Sequence, residues 1–134
     1  MKAYLDHIGI AVADLGASLA FFRDALGLEV AGSEEVTSQR VRAHFVHAGR
    51  SSLELLEATA PDSPIARYLG KRGPGLHHVA YGTDDIESAL EQVRKAGLAL
   101  IDEQPRTGIR GSRVAFLHPK ATGGVLTEIV EPKH

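Results

Sequence analysis

The chain is expected to fold as an α+β protein of two tandem βαβββ modules. Two observations in its 134 residues predict this, a duplicated opening and a duplicated closing strand. Leu5-Asp6-His7-Ile8-Gly9-Ile10-Ala11-Val12, followed by Asp14-Leu15, is echoed 71 residues later by Leu76-His77-His78-Val79-Ala80-Tyr81-Gly82-Thr83, followed by Asp85-Ile86. Leu53-Glu54-Leu55-Leu56-Glu57 is answered 74 residues later by Thr127-Glu128-Ile129-Val130-Glu131. Each half therefore supplies one His and one Glu at matched strand positions. Modules related by a pseudo-twofold would bring all four to one His2Glu2 metal site within a curved mixed sheet.

The elements follow in order. Residues 4–12 are β-branched and apolar and read as a strand, with Asp14 placed to cap a helix. Leu15, Leu19, Phe22 and Leu26 recur at intervals of four, three and four, one face of that helix, and Gly27 ends it. Ile86, Leu90 and Val93 take the same phases after Asp84-Asp85, and Gly97 closes the second helix. Further strands are predicted at 28–32, 40–47 and 52–57, and at 98–102, 112–117 and 124–131. Turns at Gly49 to Ser52 and Thr122 to Gly124 make the last strand of each module antiparallel to its predecessor. Between the modules, Ser63 caps a short helix over 64–71 that opens on Pro64, where a missing N–H is harmless. Lys71-Arg72-Gly73-Pro74-Gly75 then breaks that helix. The resulting boundaries are about 4–57 for module 1, 58–75 for the linker helix and 76–131 for module 2, in a single domain spanning 1–134.

Composition narrows the function. With 43% hydrophobic residues the chain can bury a core without staples, and the absence of cysteine excludes thiolate zinc sites, dithiol redox chemistry and a thiol nucleophile. Any transition metal must be held by His and carboxylate. A net charge of −2, with dispersed basic residues, gives no electrostatic basis for nucleic-acid binding. No apolar run approaches the roughly 20 residues that span a bilayer. The expectation is a cytoplasmic protein with neither a membrane nor a nucleic-acid partner.

A lone strand histidine is usually a packing residue; two at equivalent positions, with two equivalent glutamates, favour a metal site over coincidence. Divalent first-row metals accept this N and O donor set. Strand alternation supports the selection, because if Glu54 and Glu128 face the site, Leu53, Leu55 and Glu57, and Thr127, Ile129 and Glu131, face away. Glu57 and Glu131 are then surface or strand-end charges. His77 points away from the face of His78 and is the weaker ligand candidate. His44, His47 and His118 lack repeat partners and default to structural or supporting roles, and His134 is expected to be disordered.

These residues resemble the vicinal oxygen chelate superfamily, which includes glyoxalase I, extradiol dioxygenases and fosfomycin-resistance proteins. Within it the resemblance is to the methylmalonyl-CoA epimerase family and covers nearly the whole chain. It rests on Asp6-His7-Ile8-Gly9-Ile10-Ala11-Val12, Asp62-Ser63-Pro64-Ile65-Ala66, Gly75-Leu76-His77-His78-Val79-Ala80, and Phe116-Leu117-His118-Pro119-Lys120 with Gly123-Gly124-Val125-Leu126-Thr127-Glu128. It implies that His7, Glu54, His78 and Glu128 ligate a divalent ion, cobalt or manganese foremost, with nickel, zinc and magnesium as alternatives. It also implies interconversion of (2R)- and (2S)-methylmalonyl-CoA by removal and return of the α-proton, in propionate metabolism, by a homodimer acting on a CoA thioester.

Glu128 is the first choice of base. Some members carry a further glutamate on the strand matching Val41 to Val46, where this chain reads Arg42-Ala43-His44. The opposite face of the substrate is therefore served by Glu54, His44 or a metal-bound water. Phosphates of the CoA tail suit Arg110, Ser112, Arg113 and Lys120, near Arg106, in a segment whose Gly108 and Gly111 make it a candidate lid. A solvated loop is an equally weighted reading of those charges. The competing functions are a glyoxalase I-type isomerase acting on a glutathione hemithioacetal and a non-enzymatic small-molecule-binding member of the fold. An extradiol dioxygenase fits less well, since a fourth ligand at Glu54 would occupy a position that catechol and oxygen require.

Overall fold

The computed structural model describes residues 2–133. The chain divides into two compact units, one spanning His7–His77 and the other combining Met1–Asp6 with His78–His134. Strand β1 (Tyr4–Ala11) starts in the second of these and continues into the first, and β5 (Gly75–Gly82) likewise crosses a boundary.

In the His7–His77 unit the strands lie in the order β2 (Val30–Val36), β3 (Val41–Ala48), β4 (Ser51–Ala58), β1. β3 is antiparallel to β2 and β4, whereas β4 runs parallel to β1. The β3–β4 reversal is tight, with Ala48 opposite Ser51 and the left-handed Gly49 (φ 68°) in the turn. Helix α1 (Leu15–Leu19) is capped as expected, the Asp14 carboxylate accepting the Ala17 amide at 3.1 Å.

From Ala20 to Ala25 the helix widens into a π turn, seen in the Leu26 amide donating to the Phe21 carbonyl at 3.0 Å. Leu15, Leu19 and Phe22 pack on Val12, Val46 and Leu55 with Ile10, Leu28, Val30 and Leu53. Leu26, expected on the same face, is exposed. The wider turn advances the chain by more residues per revolution, so a position in α-helical phase with Phe22 rotates away from the sheet.

Helix α2 (Pro64–Arg72) matches the expected linker helix. Ser63, fully buried, accepts the Ile65 amide at 3.1 Å, and Gly73 (φ 73°) follows the last turn.

In the other unit the strand order is β5, β8 (Thr127–Glu131), β7 (Arg113–Leu117), β6 (Arg106–Thr107), with β5 and β8 parallel and β8–β7–β6 antiparallel. Helix α3 (Ile86–Lys95) is capped by Asp85, which accepts the Ser88 amide at 3.1 Å. Its Ile86, Ala89 and Leu90 cover Ala115, Leu117 and Ile129, and Ala80, Val114 and Val130 cluster separately.

Two expectations need correction here. The strand expected at 98–102 is reduced to one bridge, Leu100 with Leu117, and the edge strand forms instead at Arg106–Thr107. The cause is Asp102, whose carboxylate takes the Phe116 amide at 2.8 Å and so replaces a strand's backbone acceptor. The strand expected from 124 starts at Thr127, because residues 119–122 wind into a 3-10 turn and Gly123 and Gly124 (φ 76° and 107°) follow it.

Leu55→Ala removes a fully buried side chain from beneath α1. It should lower the unfolding free energy in urea by about 3 kcal/mol. Ser63→Ala, which removes only the cap of α2, should cost about 1 kcal/mol in the same measurement.

Candidate metal and proton-transfer site

Register decides which side chains share a face. β1 and β4 pair in parallel with Gly9 beside Glu54 and His7 beside Ser52, so His7, Gly9, Ala11, Ser52, Glu54 and Leu56 alternate onto one face. Ile8, Ile10, Leu53 and Leu55 take the other, and the core under α1 draws Ile10, Leu53 and Leu55 from it. His7 and Glu54 are both buried, and His7 Nδ1 lies 3.3 Å from Glu54 Oε2. An imidazole nitrogen and a carboxylate oxygen are thus held side by side, away from bulk water.

The other unit repeats the arrangement. Ala80 pairs with Glu128 across the parallel β5–β8 ladder, so His78, two residues before Ala80, shares the face of Glu128. Both are buried. Phe116 lies directly opposite Glu128 on β7, and its ring meets the His78 imidazole edge to face at 5.6 Å. The apolar Ala115, Leu117 and Ile129 leave the opposite face toward α3. Each unit therefore presents one buried His and one buried Glu on the strand face opposite the one that packs under α1 or α3.

His44 is placed differently. It pairs with Leu55, whereas Phe45 pairs with Glu54, so His44 leaves the face opposite Glu54. Its Nε2 lies 3.2 Å from Glu57 Oε1. His77 packs edge to face on Tyr68 at 5.0 Å, and burial holds its pKa below the ordinary histidine value. His118 caps the 3-10 turn, Nδ1 accepting the Lys120 amide at 3.1 Å. The expectation for His134 concerns a residue outside the described ones.

In the loop between β6 and β7, Arg110 is exposed and adopts a left-handed conformation (φ 58°), next to the left-handed Gly111. Ser112 is buried, and its hydroxyl donates to the Ile109 carbonyl at 2.7 Å. Arg113 bonds Glu87 and approaches Glu131 at 3.9 Å, and the Glu87 carboxylate raises the guanidinium pKa further. Lys120 is exposed.

Several contributors escaped the sequence reading. Glu131, expected to be a surface charge, accepts the first amide of α3 from Ile86 at 3.0 Å. Asp102 and Arg106 surround Phe116. The Phe116-Leu117-His118-Pro119-Lys120 run marked the strand without saying what its aromatic touches.

Residues 6–116 match the model of the Glyoxalase/Bleomycin resistance protein/Dioxygenase superfamily. The chain belongs to that superfamily. Within this glyoxalase superfamily it is 37% identical over 126 residues to the mitochondrial methylmalonyl-CoA epimerase of Homo sapiens, covering 93% of this chain and 72% of the relative. It is 36% identical over 131 residues to the ethylmalonyl-CoA/methylmalonyl-CoA epimerase of Cereibacter sphaeroides, covering 96% of this chain and 98% of the relative. Among solved structures it superposes with a TM-score of 0.89 and 41% identity on a single-residue variant of Streptomyces coelicolor methylmalonyl-CoA epimerase in complex with 2-nitronate-propionyl-CoA, covering 96% and 94% of the two chains. The glyoxalase fold that the resemblance implied is the fold of this superfamily, and these relatives are isomerases.

The His44–Glu57 pair is partly exposed. His44→Gln should therefore change the unfolding free energy by less than about 1 kcal/mol in urea titrations.

Proposed function

We propose that this chain epimerises methylmalonyl-CoA at its α-carbon, with His7, Glu54, His78 and Glu128 as ligands of one divalent ion. The observation that carries the reading is the duplicated pair, one buried His and one buried Glu on the same strand face in each unit. Identity of 36–37% to epimerases over most of the chain supplies the substrate class.

Two imidazoles and two carboxylates fit cobalt(II) or manganese(II), which take N and O donors with positions left open. When bound, such an ion would polarise the thioester carbonyl and stabilise negative charge as the α-proton leaves. The proton chemistry falls to the chain. Epimerisation needs one proton carrier on each side of the planar carbanion, and a carboxylate has a second oxygen with which to carry a proton while the first is engaged. Glu128 takes one side. Glu54 takes the other in preference to His44, because the β3–β4 register turns His44 to the opposite strand face.

The same reading assigns the loop around Gly108 and Gly111 to the substrate carboxylate through backbone amides. It assigns the CoA phosphates to Arg110 and Lys120, both exposed. Arg113 and Ser112, proposed for the same contacts, would have to give up their bonds to Glu87 and to the Ile109 carbonyl. It treats the 134 residues as a single working domain and takes the protein to act as a cytoplasmic homodimer in propionate metabolism, with cobalt as the preferred ion. Among the described residues, no helix is long and apolar enough to cross a membrane.

In D2O the protein should erase the α-proton NMR signal of methylmalonyl-CoA. Chelator treatment should stop the exchange, and cobalt(II) should restore it. Glu128→Gln should lower turnover by roughly 10²- to 10⁴-fold with the urea midpoint retained, the range expected when a general base is lost. Absence of exchange in the cobalt-loaded protein, together with turnover of a glutathione hemithioacetal, would overturn the assignment.

A further inference from the structure

Phe116, the ring that touches His78, is held by more contacts than its strand requires. Asp102 grips its backbone at both polar groups, the Asp102 amide donating to the Phe116 carbonyl at 3.1 Å and the Phe116 amide donating to Asp102 Oδ2 at 2.8 Å. The same Oδ2 accepts Arg106 Nε at 3.4 Å. The Arg106 guanidinium in turn lies over the Phe116 ring, 5.6 Å from its centroid. Arg106 reaches this position because it pairs with Val114 across β6–β7, which puts it on the same strand face as Phe116 and Glu128. Backbone, carboxylate, guanidinium and ring thus close a circuit, and His78 stands against the ring at an interplanar angle of 77°.

An imidazole binds an ion well only if its plane already aims the nitrogen, and losing a neighbour that orients a ligand typically costs about 10- to 100-fold in affinity. We propose that Asp102, Arg106 and Phe116 are positioning residues that set the plane of the His78 imidazole for metal binding. The inference rests on the reading of His78 as a ligand. Arg106 acts through Phe116: its charge holds the ring by cation–π attraction, and Asp102 holds the charge. A different role is also open to an arginine on this strand face, direct contact with a substrate anion, and the two roles separate experimentally.

The test uses the full chain and cobalt(II) as the probe, with Arg106→Ala and Arg106→Lys compared to the parent. Cobalt binding is followed by its visible absorption, and the His78 ring by NMR of the metal-free protein. Arg106→Ala should weaken cobalt affinity about tenfold. It should also alter the visible bands and shift or broaden the His78 ring signals, while KM for methylmalonyl-CoA stays put. Arg106→Lys should recover most of the loss, because an ammonium still places a cation over the ring.

An unchanged cobalt spectrum and affinity with a raised KM would overturn the proposal and make Arg106 a substrate contact. If the parent protein takes up no cobalt, the metal reading fails instead. The metal-free NMR then still judges the brace, and His78 signals indifferent to Arg106→Ala would sink it. Arg106 is exposed on a two-residue edge strand, so both variants should fold, and urea midpoints check this.

Discussion

The candidate site depends on the register of two parallel strand pairs, β1 with β4 and β5 with β8. In a pleated strand successive side chains leave opposite faces, so one choice of pairing fixes two things together. It turns Ile10, Leu53 and Leu55 under α1 and leaves His7 and Glu54 on the reverse side. In the other unit it turns Ile129 under α3 and leaves His78 and Glu128 on the reverse side. Burial of the aliphatic face is the driving force, and placement of the ionisable face is its consequence. The hydrophobic core therefore acts as the alignment device for the chemistry.

That arrangement carries an electrostatic cost. A buried carboxylate is tolerated only when charge and hydrogen bonds compensate for lost hydration. Glu54 meets this requirement in part through the imidazole of His7 at 3.3 Å. Acidic groups whose own carboxylates reach water are in a different position: Glu57 beside His44 and Glu87 beside Arg113 sit where water already screens them. The contrast separates the two glutamates of Leu53-Glu54-Leu55-Leu56-Glu57. They are three residues apart, on opposite faces, and only the first is enclosed.

Local chemistry made most of the fold legible in the sequence. Asp14, Ser63 and Asp85 announced three helix starts because a cap is a contact between near neighbours. The duplicated His and Glu positions were legible because they recur. What was hidden depends on partners far along the chain. No local signal shows that Asp102 will take the Phe116 amide, so the strand expected at 98–102 gave way to Arg106–Thr107. The cap that Glu131 provides to α3 comes from farther still along the chain. Leu26 was missed for another reason: its spacing assumes α-helical winding, and the π turn at Ala20–Ala25 breaks that assumption. The exclusion of His44 from the face of Glu54 needed the β3–β4 register, which spacing alone does not supply.

The two halves are not equally long. His7 to Glu54 spans three residues fewer than His78 to Glu128, although both pairs keep matching strand parity. A tight reversal at Gly49 joins β3 to β4, while β7 reaches β8 through the 3-10 turn and the two left-handed glycines. If the halves descend from a duplicated gene, drift in length was admissible only in such connections. Losing or gaining one residue within β4 or β8 would carry the downstream side chains to the wrong side of the sheet and bury a charge where an aliphatic group belongs. The loops are thus the part of this architecture open to evolutionary experiment, and the strands are the part that inheritance must copy unchanged in count.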